Sequence, residues 1–285
     1  MKKVLRQPWF APLVALVLVY LLFVVLSPET FARPINLVTM ARQTVVVGIA
    51  AAGMTLIIVS GGIDLSVGSS VALTTVVIAR MLNLGAGPLP SALTGVAVAT
   101  AAGLVIGTVI SVFRITPFVV TLGAMTILRG AAKGVAGEQK IDADAQGLDS
   151  LLGVLPPGQS WMLFPPGVWT LIAVLLMTAA LLRYTRFGRH VFAVGSSERT
   201  AVLCGVPARS VKIGVYCLSG ALAGLAGVME FATLTVGDPT DSAGLELEVI
   251  AAAVIGGASL SGGEGSILGS VIGASLMTVI KTCLL

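Results

Sequence analysis

Asp64 is the residue whose type and position most strongly indicate chemistry, because it is a carboxylate between two apolar runs. It is the only charged residue between Arg42 and Arg80. A charged side chain at membrane depth costs about 2.5–3.5 kcal/mol on insertion scales, so it faces protein or a water-filled path. Three roles fit this position: a helix cap that holds a bend, a group on a translocation path, or a contact near a cytoplasmic gate.

The residues around Asp64 predict a broken helix. Gly61 and Gly62 let the backbone leave the helical conformation without a steric penalty. The next helix is expected to begin near Leu65–Gly68, with Asp64 or Ser66 as its N-cap. The predicted break, or a translocation path beside it, comprises Gly61, Gly62, Asp64, Ser66 and Gly68.

A similar motif recurs 195 residues later. Gly61–Gly68 and Gly256–Gly263 share the pattern GGxxLSxG, and each copy follows one apolar run and precedes another. Internal repeats in transporters place binding sites at the repeat interface, in interrupted helices. Chance similarity in a glycine-rich sequence is the other explanation. The second copy adds Gly256, Gly257, Ser259 and Ser261 to the predicted break or path.

A third segment, residues 193–206, is predicted to form a short capped helix between two apolar runs. Ser196 or Ser197 can cap its start, and Gly205 can end it in the left-handed conformation. A capped helix of one or two turns can dock into a groove of a partner protein, although an ordinary connecting helix has the same spacing. The residues assigned to this contact are Gly195, Ser196, Ser197, Glu198, Arg199 and Gly205.

No motif for catalysis or nucleotide binding is present in the sequence. It lacks the GxxxxGK[ST] phosphate-binding loop, HExxH, and a GxSxG elbow with a partner histidine. Its three cysteines have no CxxC spacing. We therefore expect no enzyme activity, metal or cofactor in this chain, so that any ATP is bound by a partner subunit.

Composition places these segments in a polytopic α-helical membrane protein. Apolar residues make up 56% of the 285 residues and charged residues 11%, against about 45–50% and 25% in soluble domains. A soluble domain could not keep that much apolar surface from water. The composition excludes a soluble enzyme, a disordered protein and a nucleic-acid partner, and the net charge of +4 is assigned to basic loops at a membrane surface.

Nine apolar runs are predicted to span the membrane, at about 20 residues per crossing. They cover residues 9–27, 43–60, 68–82, 91–112, 117–133, 166–183, 213–235, 246–257 and 266–285. The runs 68–82 and 246–257 are short or interrupted by glycine. Gly103-x-x-x-Gly107 and Gly220-x-x-x-Gly224 predict close helix packing. The predicted fold is all-α with about nine or ten transmembrane helices, interrupted helices and an internal repeat, in a single domain over residues 1–285.

The distribution of lysine and arginine predicts the orientation. Lys2, Lys3 and Arg6 precede the first run, and Arg183–Lys212 carries six basic residues with one acid. Both regions are expected to be cytoplasmic, which agrees with the six runs between them. Loop 134–165 carries four acids and one lysine, so it is expected to be periplasmic, with loop 184–212 cytoplasmic. The first run is expected to remain as a helix instead of being cleaved as a signal peptide.

Three stretches together resemble the ribose-type permease subunit of bacterial sugar ABC importers. They are SGGIDLSVGS, AVGSSERTAVLCGVPARSVK followed by LSGALAGLAGV, and LELEVIAAAVIGGASLSGGEGS, in the order of the family. The resemblance covers about residues 36–280. It implies a multi-pass permease domain in the bacterial inner membrane, with a cytoplasmic N-terminus, that translocates ribose or another simple sugar. The family's coupling segment corresponds to Gly195–Gly205.

The same resemblance implies the partners of the chain. A cytoplasmic ABC ATPase would bind and hydrolyse ATP, and a periplasmic sugar-binding protein would deliver the solute. A second copy of the chain, or a related permease, would complete a dimer around a central path, surrounded by membrane lipid.

Two departures from the family pattern and two alternatives remain. The family usually has Gly-Asn-Glu where this chain has Ser196-Ser197-Glu198. The chain also ends in an apolar run where relatives continue, so we expect a truncated or divergent end, or one span more or fewer.

A branched-chain amino acid permease is the first alternative, although the sugar-type string GGIDLSVGS is intact. A secondary transporter would need ionisable residues within its spans; only Asp64, Glu230, Glu246 and Glu248 come close.

Overall fold

The computed structural model describes residues 9–31, 33–155 and 162–284, and most of these residues are helical. In chain order the helices are α1 (Phe10–Leu26), α2 (Pro28–Phe31), α3 (Pro34–Val59), α4 (Val67–Asn83), α5 (Pro88–Phe113), α6 (Pro117–Ala136), α7 (Pro166–Tyr184), α8 (Arg186–Ser196), α9 (Glu198–Leu203), α10 (Ala208–Leu234), α11 (Leu245–Ile255) and α12 (Ile267–Leu284). Two short strands, β1 (Ile141–Asp142) and β2 (Val236–Gly237), pair antiparallel. The basic residues Lys2, Lys3 and Arg6, and residues 156–161 of the predicted periplasmic loop, lie outside the described residues.

Each predicted apolar run coincides with a helix, which confirms the all-α polytopic fold. Among the described residues, five helices are long and apolar enough to cross a membrane alone: α3, α5, α6, α7 and α10. The apolar helices α1, α4 and α12 are shorter. Helix α11 has 11 residues, which is about 17 Å at 1.5 Å per residue, roughly half of a hydrocarbon core. The structure thus contains the interrupted helices that the glycine-rich runs predict.

Two helices begin at least five residues earlier than hydropathy alone predicts. Helix α3 starts at Pro34 instead of residue 43, so Arg42 lies inside it. Helix α10 starts at Ala208 instead of residue 213, which makes the end of the predicted loop 184–212 helical. Apolar windows stop at polar residues, whereas proline at the first helical position sets where a helix such as α3 begins.

Helix α3 forms the centre of the bundle. Its second half is fully buried, including Met54 and Leu56–Val59. Buried hydroxyl groups join it to α12, with Oγ1 of Thr55 donating to Oγ of Ser270 at 2.6 Å. Hydrogen bonds of this kind hold helices together where no hydrophobic force acts between them.

The two GxxxG motifs face each other across the contact between α5 and α10. A Cβ atom on Gly103 would lie 3.1 Å from the Cα of Gly220, and a Cβ on Gly220 would lie equally close to Gly103. A Cβ on Gly224 would lie 2.7 Å from the Cα of Val96. The backbones therefore touch, and the close packing predicted from the motifs is confirmed.

Part of the acidic loop 134–165 is tied to the segment after α10. Besides the β1–β2 pairing, Nζ of Lys140 lies 3.0 Å from Oδ2 of Asp238. Burial raises the pKa of Asp238, but hydrogen bonds from Thr240 and Lys140 outweigh burial and hold this pKa below its ordinary value. Asp238 is therefore a stable anion that anchors the loop.

The acidic and basic loops lie at opposite ends of α7, which gives a direct test of orientation. A reporter fused after Gly147 is expected to read as periplasmic, and one fused after Ser197 as cytoplasmic, because lysine- and arginine-rich loops remain inside. Alkaline phosphatase and green fluorescent protein fusions measure the two sides. If both reporters report the same compartment, the predicted span count is wrong.

Candidate functional site

The segment between α7 and α10 folds into two short helices, each capped by a hydroxyl group. The Thr185 side chain accepts from the Gly188 N–H at 3.1 Å at the start of α8. The Ser197 side chain accepts from the Thr200 N–H at 3.3 Å at the start of α9. Gly205 follows with φ of +81°, in the left-handed region that favours glycine. The predicted short capped helix is present, with Ser197 as its cap and Ser196 as the last residue of α8.

Helix α9 presents apolar side chains to the exterior. Ala201 is buried against the bundle, whereas Val202 and Leu203 are 54% and 82% exposed. Arg199 is exposed on the same short helix. An exposed apolar pair beside a basic residue is the composition of a protein-docking surface.

An ion pair fixes the start of α9 to α10. Nζ of Lys212 donates to Oε2 of Glu198 at 2.6 Å, and the lysine end of the pair is largely buried. Glu198 also lies in the first turn of α9, where the helix dipole stabilises a negative charge. The pair therefore sets the angle at which α9 leaves the bundle.

In the importer that the resemblance implies, reversing Glu198 to lysine is expected to reduce ATP-driven uptake about tenfold while the protein remains in the membrane. The change places two positive charges together and removes a favourable first-turn charge. Uptake per unit of membrane protein is the measurement.

The double variant Glu198→Lys with Lys212→Glu restores opposite charges and serves as the control. It is expected to recover at least half of the uptake. If the single variant transports like the wild type, the angle of α9 has no part in coupling.

The last residue pair of α8 packs directly on the end of α3. A Cβ on Gly195 would overlap the carbonyl oxygen of Val59 and would lie 2.7 Å from the Gly263 nitrogen. The same Val59 oxygen accepts a hydrogen bond from the Gly263 N–H at 2.9 Å. Because no side chain intervenes, the three chain segments meet backbone to backbone. We call Val59, Gly61, Gly195, Gly262 and Gly263 the glycine junction.

Both copies of GGxxLSxG reach this junction. A Cβ on Gly262 would lie 2.6 Å from the Gly195 carbonyl oxygen and 3.0 Å from the Gly61 Cα. Gly61 and Gly262 have φ of +83° and +81°, so each needs the left-handed conformation that glycine adopts without strain. The two copies therefore lie side by side, at the end of the bundle that carries the basic loop.

The first copy is buried and held by hydrogen bonds. Oδ1 of Asp64 accepts from the Ser66 N–H at 2.8 Å and from the Ser66 hydroxyl at 2.6 Å, just before α4 begins at Val67. The hydroxyl groups of Tyr216 and Thr121 both donate to the Ile63 carbonyl at 3.3 Å. Ser66 occupies the N-cap position of α4, but its side chain makes no capping hydrogen bond and donates to Asp64 instead. Asp64 is therefore not the helix cap that the sequence suggested; it holds the turn that leads into α4.

The glycines of the first copy also make close contacts. A Cβ on Gly62 would lie 2.6 Å from the Tyr216 hydroxyl. A Cβ on Gly68 would lie 2.5 Å from both the Ser242 carbonyl oxygen and Oε2 of Glu246. Gly68 therefore brings the start of α4 against the start of the half-length helix α11.

The second copy shares the break but has a different environment. Gly257 ends α11 with φ of +91°, and Gly256 packs against the backbone of Gly269 in α12. The hydroxyl groups of Ser259 and Ser261 lie 2.7 Å apart near the surface. The repeat is thus a repeat of backbone breaks, whereas its polar side chains are buried in one copy and exposed in the other.

Sequence reasoning missed three participants: Val59, Lys212 and Tyr216. Val59 contributes only a carbonyl group, which no motif marks. Tyr216 lies within an apolar run, so it resembles any core aromatic residue. The sequence marks Lys212 only as part of a basic loop, because its pairing with Glu198 depends on how α9 folds back on α10.

The family model for "Branched-chain amino acid transport system / permease component" matches residues 36–285. The ribose import permease protein RbsC of Escherichia coli strain K12 is 37% identical over 265 residues, covering 93% of this chain and 82% of the relative. No solved structure gave a significant match.

Two further relatives cover similar shares. RbsC of Bacillus subtilis strain 168 is 33% identical over 271 residues, covering 95% of this chain and 83% of the relative. The L-arabinose ABC transporter permease protein AraH of Azospirillum brasilense is 34% identical over 261 residues, covering 90% of this chain and 74% of the relative.

Proposed function

This chain belongs to the family of permease components that its match over residues 36–285 defines, and we propose that it is the membrane-spanning subunit of an ABC importer that translocates a monosaccharide. The curated relatives named above are ribose and L-arabinose permeases, at 33–37% identity over at least 90% of this chain. A relative that covers the chain so fully supports a shared transport role.

One observation of this chain carries the coupling part of the proposal. The glycine junction connects the base of the exposed helix α9 to the breaks after α3 and α11 by backbone contacts alone. Close-packed contacts cannot absorb a displacement, so a movement of α9 must move the helix ends at both breaks. The segment is therefore built to pass a push from a partner into the bundle.

The mechanism that follows is a shift between two states. An ATPase subunit that closes on ATP would press on α9, and the contacts between the ATPase and the exposed Val202 and Leu203 would change. Only contacts that differ between outward-open and inward-open states can bias that equilibrium. The chain supplies the coupling helix and the path, and the partner supplies ATP hydrolysis.

The partners of the proposed importer follow from this division of labour. They are a cytoplasmic ABC ATPase, a periplasmic sugar-binding protein and a second permease copy or related permease. The proposed location is the bacterial inner membrane, with the N-terminus and loop 184–212 in the cytoplasm, since both are basic.

A branched-chain amino acid is the alternative solute, because the family description names that class. The identity to ribose and arabinose permeases favours a sugar over the amino acid. A secondary transporter would need no ATPase and is disfavoured by the same relatives.

Reconstitution tests the function. A tagged copy of the chain is purified from its native host with the proteins that remain bound, and the complex is placed in proteoliposomes with the associated binding protein. Uptake of radiolabelled D-ribose and of leucine is then measured with and without ATP.

ATP-dependent uptake of the sugar alone supports the proposal. Uptake of leucine instead of sugar would establish the amino acid alternative. Uptake driven by an ion gradient, without ATP or an associated ATPase, would overturn the ABC importer altogether.

A further inference from the structure

A cavity of about 670 Å³ whose wall includes several charged side chains lies at the opposite end of α3 from the glycine junction. Its walls come from the first half of α3, the last turns of α10 and α12, and the start of α11. Val47, at the wall nearest the junction, is about 18 Å along α3 from Val59. Volumes of about 300–1,000 Å³ are typical of sites for small molecules. We call this the outer cavity; its charged and amide side chains are Arg42, Gln43, Glu230, Asp241, Glu248 and Lys281.

The charges in the outer cavity are nearly balanced. Nζ of Lys281 lies 2.6 Å from Oε1 of Glu248, so these two groups neutralise each other. Glu230 and Asp241 line the same cavity. Arg42 supplies a positive charge beside these two acids. A cavity whose positive and negative side chains nearly cancel does not select strongly for an anion or a cation.

Arg42 is a donor without an internal partner. Its buried Nε has no hydrogen-bond partner within the described ranges, and the ion pairs found there do not include Arg42. An unpaired buried donor is costly, and charged residues inside membrane helices mark solute paths. The guanidinium presents its donors in a planar fork that can bind two neighbouring acceptors at once.

The non-helical segment before α11, which forms one wall of the outer cavity, is held in place by α6. Nη1 of Arg129 on α6 donates to the carbonyl oxygens of Pro239 and Asp241, at 3.0 and 2.6 Å. Non-helical backbone at membrane depth occurs where it is buried in protein or lines a water-filled cavity. Arg129 therefore fixes the segment that carries Asp241, a residue of the cavity wall.

From these observations we infer that the outer cavity is a binding site of the permease itself for an uncharged polyhydroxylated solute, a monosaccharide. Arg42 would donate to neighbouring hydroxyl oxygens, and the pair Glu230 and Asp241 would accept from hydroxyl groups. A sugar hydroxyl group both donates and accepts hydrogen bonds, and carboxylate, guanidinium and amide groups supply the matching acceptors and donors. The inference rests on the proposed import function, and it adds a site beyond any binding protein.

Direct binding tests the inference. The purified chain with its bound ATPase, in nanodiscs and without binding protein, is mixed with D-ribose and examined by saturation-transfer NMR. We expect a saturable signal for the wild type and at least a tenfold weaker apparent affinity for Arg42→Gln and for Glu230→Gln. Arg80→Gln is the matched control, because Arg80 lies on α4 away from the cavity, and it should bind sugar like the wild type.

A second variant remains informative if the charge substitutions prevent folding. Thr233→Cys places a thiol on the cavity wall in a background where Cys204, Cys217 and Cys283 are serine. D-ribose is expected to slow labelling by a membrane-impermeant maleimide at least threefold, whereas leucine should leave the rate unchanged.

Failure of this inference can be told apart from failure of the proposed function. If reconstituted wild type imports the sugar but shows neither sugar binding without the binding protein nor protection of Thr233→Cys, the cavity is not a solute site. If no sugar is imported with ATP, the proposed function fails, whatever the cavity binds.

Discussion

Replacing Gly195 with alanine is expected to lower ATP-driven uptake at least tenfold. The added Cβ would overlap the Val59 carbonyl oxygen and come within 2.7 Å of the Gly263 nitrogen. These neighbours are backbone atoms, which cannot rotate away, so α8 must move off α3. Overpacking of this kind costs about 1–3 kcal/mol, and the displacement would break the contact that connects α9 to both helix breaks. Uptake and ATP hydrolysis per unit of reconstituted complex are the measurements.

Gly130→Ala on α6 provides a matched control for this substitution. A Cβ there would meet no neighbouring atom, and alanine is the better helix former. This variant should transport like the wild type. Wild-type uptake by Gly195→Ala, at equal amounts of protein, would show that the glycine junction does not transmit movement.

Asp64→Asn is expected to retain transport within about twofold of the wild type, whereas Asp64→Ala should lose most of it through reduced protein abundance. The asparagine side-chain oxygen can still accept from the Ser66 N–H and hydroxyl, as Oδ1 of Asp64 does. Alanine leaves both donors unpaired in a buried site, at about 1–3 kcal/mol for each. Such losses lower the steady-state amount of protein in the cell.

Transport normalised to membrane protein separates a structural role of Asp64 from a role of its charge. Ser66→Ala is the accompanying control, because it removes one donor and leaves the Asp64 charge in place. It should be milder than Asp64→Ala. A fully abundant but inactive Asp64→Asn would assign the charge to a gate and contradict the structural role.

Several features of this protein follow from sequence alone, because they depend on local chemistry. The low charge and the apolar runs determine that the chain is a bundle of membrane helices, since the backbone must be satisfied internally in lipid and runs of about 20 apolar residues match a spanning helix. The glycine pairs mark the breaks after α3 and α11. Ser197 and Gly205 mark the limits of α9, because caps and left-handed residues act within one turn.

Other features of the fold depend on residues that are far apart in the chain. The start of α3 at Pro34, which brings Arg42 into the bundle, is hidden from an apolar window by the polar residues of its first turns. The coupling segment and the two GGxxLSxG copies are recognisable as motifs, but only packing places Gly195 between Val59 and Gly263. The Lys212 partner of Glu198 depends likewise on how α9 folds back.

The outer cavity shows most clearly what tertiary structure decides. Glu230 and Glu248 appear in the sequence as isolated acids near the ends of apolar runs. The fold brings them together with Arg42, Asp241 and Lys281 around one cavity. These five residues come from four different parts of the chain. Hydropathy and capping act over a few residues, so they determine where helices begin, break and end. The balance of charge in a cavity depends on which helices become neighbours, and that is settled only when the bundle packs.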